Sequence, residues 1–168
     1  MNNREREYIF ADLPDIGYST DIDTVMASSY QVKKQLQQIV KIEQPITNTL
    51  LYKRILRIWN LTRVTTRLQV FIDNLLEDAY KDPLSGDTII YWEDEEKAKD
   101  CDFYRINSKR DILDIPILEV MSAARYAIEQ QISMPTEDLK RLTSQLLGFS
   151  RKGNNLDMVT LSLIHISE

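Results

Sequence analysis

Cysteine, histidine and glycine are scarce in this chain, and each scarcity removes a class of function. The single cysteine, Cys101, has no partner for an internal disulfide. It fits a reducing cytosol and reads as a spare thiol. The single histidine, His165, has no cysteine or carboxylate at ligand spacing, so neither a metal site nor a general base is expected there. Serine hydroxyls without such a base are not useful nucleophiles. The four glycines, at 17, 86, 148 and 153, do not fall in the GxxxxGK[ST] frame whose amides and lysine hold a triphosphate. No run approaches 18 apolar residues, so no membrane span is expected. The opening MNNREREYIF has no apolar stretch suited to export. The expectation is a cytoplasmic, non-enzymatic chain with no cofactor, no metal and no small-molecule substrate.

What is present is an ordinary globular mixture, with 43% hydrophobic and 28% charged residues over 168 positions. With only four glycines and five prolines, helix is favoured over a loop-rich sheet protein. The net charge of −5 argues weakly against nucleic acid, but the charges are unevenly placed. Between Pro45 and Leu76 stand Lys53, Arg54, Arg57, Arg63 and Arg67 against only Asp73. From Glu77 to Asp100 the balance is acidic, with Glu93, Asp94, Glu95 and Glu96 consecutive. Such an acidic run reads as a solvated surface rather than a set of catalytic carboxylates. The basic block is where a polyanion would bind.

Periodicity divides the chain into an extended arm over 1–29, a first unit over 30–93, a polar connector over 94–115, a second unit over 116–164 and a tail over 165–168. In the first unit, Val32, Leu36, Ile39 and Val40 form one helical stripe that Pro45 ends. Thr47 or Asn48 caps a second helix burying Leu51, Ile55, Ile58 and Trp59, and Asn60 takes the left-handed conformation that closes it. Thr62 is expected to cap a third helix with Leu68, Phe71, Ile72 and Leu75 inward. That assignment puts Arg63 and Arg67 on one outer face. DPLSGD is turn chemistry, and TIIYW behind it is a β-branched, aromatic strand. Three helices followed by a hairpin is the order of a winged helix, with a helix-turn-helix between helices two and three. Trp59 and Trp92 are expected in the core.

Shifting the sequence by 88 residues lays a second helix–break–helix on the first. Leu51 then meets Leu139, Arg63 meets Arg151, Leu68 meets Leu156 and Leu75 meets Leu163. Pro116 opens a helix to about Gln131, and a second runs from Pro135 or Thr136 to Gly148. Ser150 caps a third, reaching Ile164. The fold class expected is mainly α with a small β-hairpin, in tandem winged-helix or helix-turn-helix-like units, the second lacking its wing.

The ordered succession EQPITNTLLYKRILRIWNLTRVTTRL, IIYW, DFYRI, DIPILEV and LKRLTSQLLGFSRKGNNL resembles a bacterial domain of unknown function. That domain lies at the C-terminal end of large superfamily-one helicase-like proteins, often beside an endonuclease domain of the very-short-patch-repair type. Its pattern at each helical break is roughly Gly-aromatic-Ser-Arg-x-Gly-x-Arg-apolar. The first copy keeps Arg63 and Arg67 but carries Asn60 and Thr65 where glycines are usual. The second keeps Gly148, Phe149, Arg151 and Gly153, with Asn155 replacing the second arginine. The resemblance implies an accessory domain without the motor's own catalysis.

Two functions follow as expectations. In the first the domain binds DNA: Arg63 and Arg67 contact phosphates or base edges, Thr65 and Thr66 add hydroxyl hydrogen bonds, and Lys53 and Arg57 grip the flanking backbone. Arg151 and Lys152 would serve likewise in the second copy. In the other, the domain docks on protein, either the helicase motor of a parent protein or another partner, through its acidic wing. A purely structural use of Arg63 and Arg151, pairing with a nearby acid, stands beside both.

Overall fold

The computed structural model describes residues 2–130 and 136–149. They are mainly helical with two small sheets, and the chain divides into two compact units: Phe10–Lys99, and Met1–Ile9 together with Asp100–Glu168.

The Phe10–Lys99 unit is built around three long helices. After a short α1 (Ile22–Ala27), α2 (Ser29–Glu43) buries Val32, Leu36, Ile39 and Val40, the stripe expected from periodicity. The chain turns through a cis Gln44–Pro45 peptide into β2 (Ile46–Thr47). The Thr47 side chain accepts the Leu50 amide at 3.3 Å and so starts α3 (Asn48–Ile58), whose buried face includes Leu51, Ile55 and Ile58. Trp59 follows in the core, with its indole N–H donated to the Gln35 side-chain oxygen at 2.8 Å.

α4 (Thr66–Leu75) packs Leu68 and Ile72 into the same core, flanked by Phe71 and Leu75. β3 (Tyr80–Lys81) and β4 (Ile90–Trp92) then form the hairpin. The sheet is antiparallel, in the order β2–β4–β3, with Ile46 opposite Tyr91 and Tyr80 opposite Trp92. Buried Asp82 closes the hairpin loop: its carboxylate accepts the Leu84 amide at 2.9 Å and the Trp92 indole N–H at 2.8 Å. The third strand, β2, has no sequence signature because two residues carry no periodicity. The acidic run begins a short helix, α5 (Glu95–Ala98), capped by Asp94.

The other unit starts from a parallel pair, β1 (Glu5–Glu7) with β5 (Tyr104–Ile106). A 3-10 turn (Ile112–Asp114) leads to α6 (Ile117–Gln130), and α7 (Thr136–Leu146) packs against α6. Tyr104, Ile112, Ile115, Val120, Ala123, Ala124 and Leu147 make the core. Beside them Glu119 is fully buried, 2.8 Å from Arg105 and 2.7 Å from Arg110, and both guanidiniums lie over the Tyr8 ring.

The arm expected over 1–29 is therefore not one piece. Its first residues form a strand, because Tyr104–Ile106 offers backbone groups to pair with, and Tyr8 covers a buried charge cluster. Residues 94–115, expected to be a polar connector, contain α5, β5 and the 3-10 turn, with Phe103 and Tyr104 buried.

The 88-residue shift reappears in the elements. α2 and α6 begin at Ser29 and Ile117, while α3 and α7 begin at Asn48 and Thr136 and end at Ile58 and Leu146. Both breaks have the same closure. Asn60 (φ 48°) donates its amide to Arg57 and Leu61 donates to Leu56. Gly148 (φ 91°) donates to Gln145 and Phe149 donates to Ser144. A left-handed residue bends the chain back so that the last carbonyls of the helix find donors, while the next apolar residue returns to the core. Pro135 and everything expected beyond Phe149, including the Ser150 cap, the helix to Ile164 and His165, lie outside the described residues.

Candidate functional site

The basic block of the first unit is built from three pieces: the outer side of α3, the break at residues 59–65, and the start of α4. The break differs in one register from the sequence expectation. Thr65, not Thr62, caps α4, its side chain accepting the Leu68 amide at 3.2 Å. Thr62 to Val64 are consequently still loop, because the left-handed Asn60 is followed by residues that turn the chain before a helix can start. Arg63 therefore stands in the loop and does not share a helical face with Arg67. Thr65 is a half-buried cap, and its hydroxyl is committed to the helix.

The structure separates the expected cluster further. Arg57 turns inward, donating to the Leu13 carbonyl at 2.8 Å with its guanidinium 5.3 Å from the Phe10 ring centre. Arg54 does the same more firmly: it donates to both oxygens of buried Glu43, at 2.9 Å (Nε to Oε2) and 2.6 Å (Nη2 to Oε1), and lies 4.4 Å from the centre of the same ring. A carboxylate with no solvent contact needs such a two-pronged partner, since removing it from water unpaired is costly. Two of the block's five cations thus hold the Phe10–Leu13 segment and the end of α2.

The remaining residues face solvent. Lys53, Arg63, Thr66 and Arg67 are exposed. Among the described residues, Arg63 makes no side-chain hydrogen bond or ion pair. Arg67 reaches Asp23 at 2.8 Å, both side chains more than half exposed; a pair of this kind is worth little and yields readily to another anion. Exposed Val70 and Asn74 continue the outer face of α4. Arg151 and Lys152 lie outside the described residues.

Two features escaped the sequence reading. One is the Glu43–Arg54 pair, legible in part because Glu43 continues the apolar stripe of α2. The other is a groove of about 440 Å³ between α2, the end of α4 and β4. Val40, Leu75, Leu76 and Trp92 are among its walls, with Lys41 and Glu93 at its polar rim. Among the described residues no group of three or more histidine, cysteine, aspartate or glutamate side chains is placed to hold a metal ion, and no helix is long and apolar enough to cross a membrane.

The fold and this surface define a mainly helical domain with a small antiparallel sheet. Residues 26–70, spanning α2, β2, α3 and the start of α4, match a family described as "Protein of unknown function (DUF3320)". No curated protein and no solved structure matches the chain.

Proposed function

We propose that residues 29–92 form a winged-helix unit that binds DNA through the start of α4, as a non-catalytic accessory part of a larger helicase-like, cytoplasmic protein. The observation that carries this reading is the element order α2–β2–α3–α4–β3–β4 with β4 central, which leaves one face of α4 in solvent with Arg63 at its entrance. The helix start adds amides that favour a phosphate. The helicase connection rests on the resemblance of the ordered motifs, and no cofactor or small-molecule substrate enters this role.

The contact is narrower than the sequence alone suggested. Lys53, Arg63 and Arg67 remain as phosphate ligands, Thr66 as a hydroxyl donor, and Arg57 is withdrawn. Three neutralised phosphates imply a slope of log affinity against log salt of roughly −2 to −3. Titrating the chain with DNA at two salt concentrations measures that slope. Arg63→Ala should flatten it by about one and weaken binding at low salt, while thermal stability stays unchanged. Unchanged affinity in the variant would remove DNA binding from this face.

A second reading, docking on a protein partner such as the helicase motor, is favoured by the groove walled in part by Val40, Leu75, Leu76 and Trp92 and by the exposed acids at 93–96. It predicts that Leu75→Glu abolishes partner capture without changing the salt slope for DNA.

A further inference from the structure

We infer that the DNA taken at this face carries unpaired bases, one of which stacks on the ring of Tyr18. This rests on the proposed DNA-binding reading and names its substrate. Tyr18 follows Gly17, whose φ of 78° and amide donated to Asp15 Oδ1 at 2.7 Å make a tight turn. That turn is fastened across the end of α3 at three points. Ile16 donates its amide to the Ile58 carbonyl at 2.9 Å, Asn60 donates its side-chain amide to the Tyr18 carbonyl at 3.1 Å, and the Thr20 hydroxyl donates to the Trp59 carbonyl. The backbone at Tyr18 is thus held by the same helical break that leads to Arg63, yet the residue is 64% exposed.

An aromatic side chain in water, on a backbone anchored to the break that leads to Arg63, is an arrangement on which a nucleobase stacks without regard to its identity. An independent observation points the same way. A winged helix that straddles a duplex uses its wing for a second phosphate contact, but here Lys81 in β3 is the one cation of residues 80–96, while Asp87 in the hairpin loop and Glu93–Glu96 just after β4 are exposed acids. The hairpin therefore offers a flanking duplex few cations, and stacking supplements a contact to few phosphates.

The test uses the full chain and three fluorescent DNAs of equal length: single-stranded, duplex and forked. The expected result is tighter binding to the single-stranded and forked forms than to duplex. Tyr18→Ala should weaken those two by roughly tenfold while duplex affinity and the salt slope stay as they are. Tyr18→Phe should bind like the unaltered chain, because the ring and not the hydroxyl carries the contact. The inference is overturned if Tyr18→Ala changes no affinity, if it lowers all three alike, or if Phe is as damaging as Ala. Preference for duplex would sink it while leaving the DNA-binding reading in place. Binding to none of the three would remove both.

Discussion

Thr65 and Arg57 illustrate how one residue type serves either fold or function according to what surrounds it. Thr65, two residues from Arg63, looks in sequence like part of a polar contact patch, yet its side chain accepts the Leu68 amide and starts α4. Thr65→Ala should therefore lower stability by about 1 kcal/mol in thermal unfolding. Thr66→Ala, at an exposed position just inside the helix, should change stability by less than about 0.5 kcal/mol. A larger loss at Thr66 than at Thr65 would contradict the assignment of the cap. Arg57 and Arg54 read as surface cations because basic residues usually are; Glu43 and the Leu13 carbonyl, both remote in sequence, turn them inward.

At the level of elements, the two breaks at Asn60 and Gly148 carry the clearest physical signature. Both residues adopt positive φ, and both donate to the third residue before them while their successors reach back five. Any residue with a Cβ is strained in that conformation, asparagine less than most. Asn60→Gly and Asn60→Ala each lose the hydrogen bond to the Tyr18 carbonyl, so comparing the two isolates the backbone penalty. The glycine variant should be more stable than the alanine variant by about 1 kcal/mol in denaturant unfolding. Gly148→Ala should cost a similar amount. Equal stabilities would mean that the break is held by packing and not by its dihedral angle. The equal spacing of α2–α3 and α6–α7 matches the 88-residue shift seen in the sequence.

At the scale of the whole molecule, Glu119 is a fully buried carboxylate in the unit that contains β1, β5, α6 and α7. Burial alone would raise its pKa, but the Arg105 charge and the hydrogen bonds from Arg105 and Arg110 outweigh burial and hold the carboxyl below the ordinary glutamate range. A carboxyl depressed in the folded state contributes stability above its unfolded value, about 4.3, and loses it as pH falls through the lower folded value. Thermal unfolding of the chain should therefore drop steeply below about pH 4. Glu119→Gln should destabilise by roughly 3–5 kcal/mol at neutral pH, since two guanidiniums remain buried without a counter-charge, and should show a flatter acid limb. An acid limb unchanged by that substitution would assign the pH dependence elsewhere.

The sequence by itself determined the long helices and the buried stripes of α2, α3 and α4, but set the cap of α4 three residues early, at Thr62, and left α5 inside an expected connector. Stripes such as Val32–Leu36–Ile39–Val40 and Leu68–Phe71–Ile72–Leu75 repeat at 3.6 residues, and a helix packed on one side can satisfy that period only one way. It also determined the breaks at Asn60 and Gly148 and the turn before β4, because left-handed and tight conformations belong to few residue types. Two-residue strands have no period to read, so β2 and its pairing with β4 emerged only when α2 and α3 had brought Ile46 opposite Tyr91. The strand Glu5–Glu7 likewise depends on a partner 99 residues away, Tyr104 opposite Glu5. The candidate site was half legible for the same reason. A guanidinium's role is set by the nearest anion or solvent, and whether Arg54 meets Glu43, Arg67 meets Asp23 or Arg63 meets water is decided by contacts that only the tertiary structure creates.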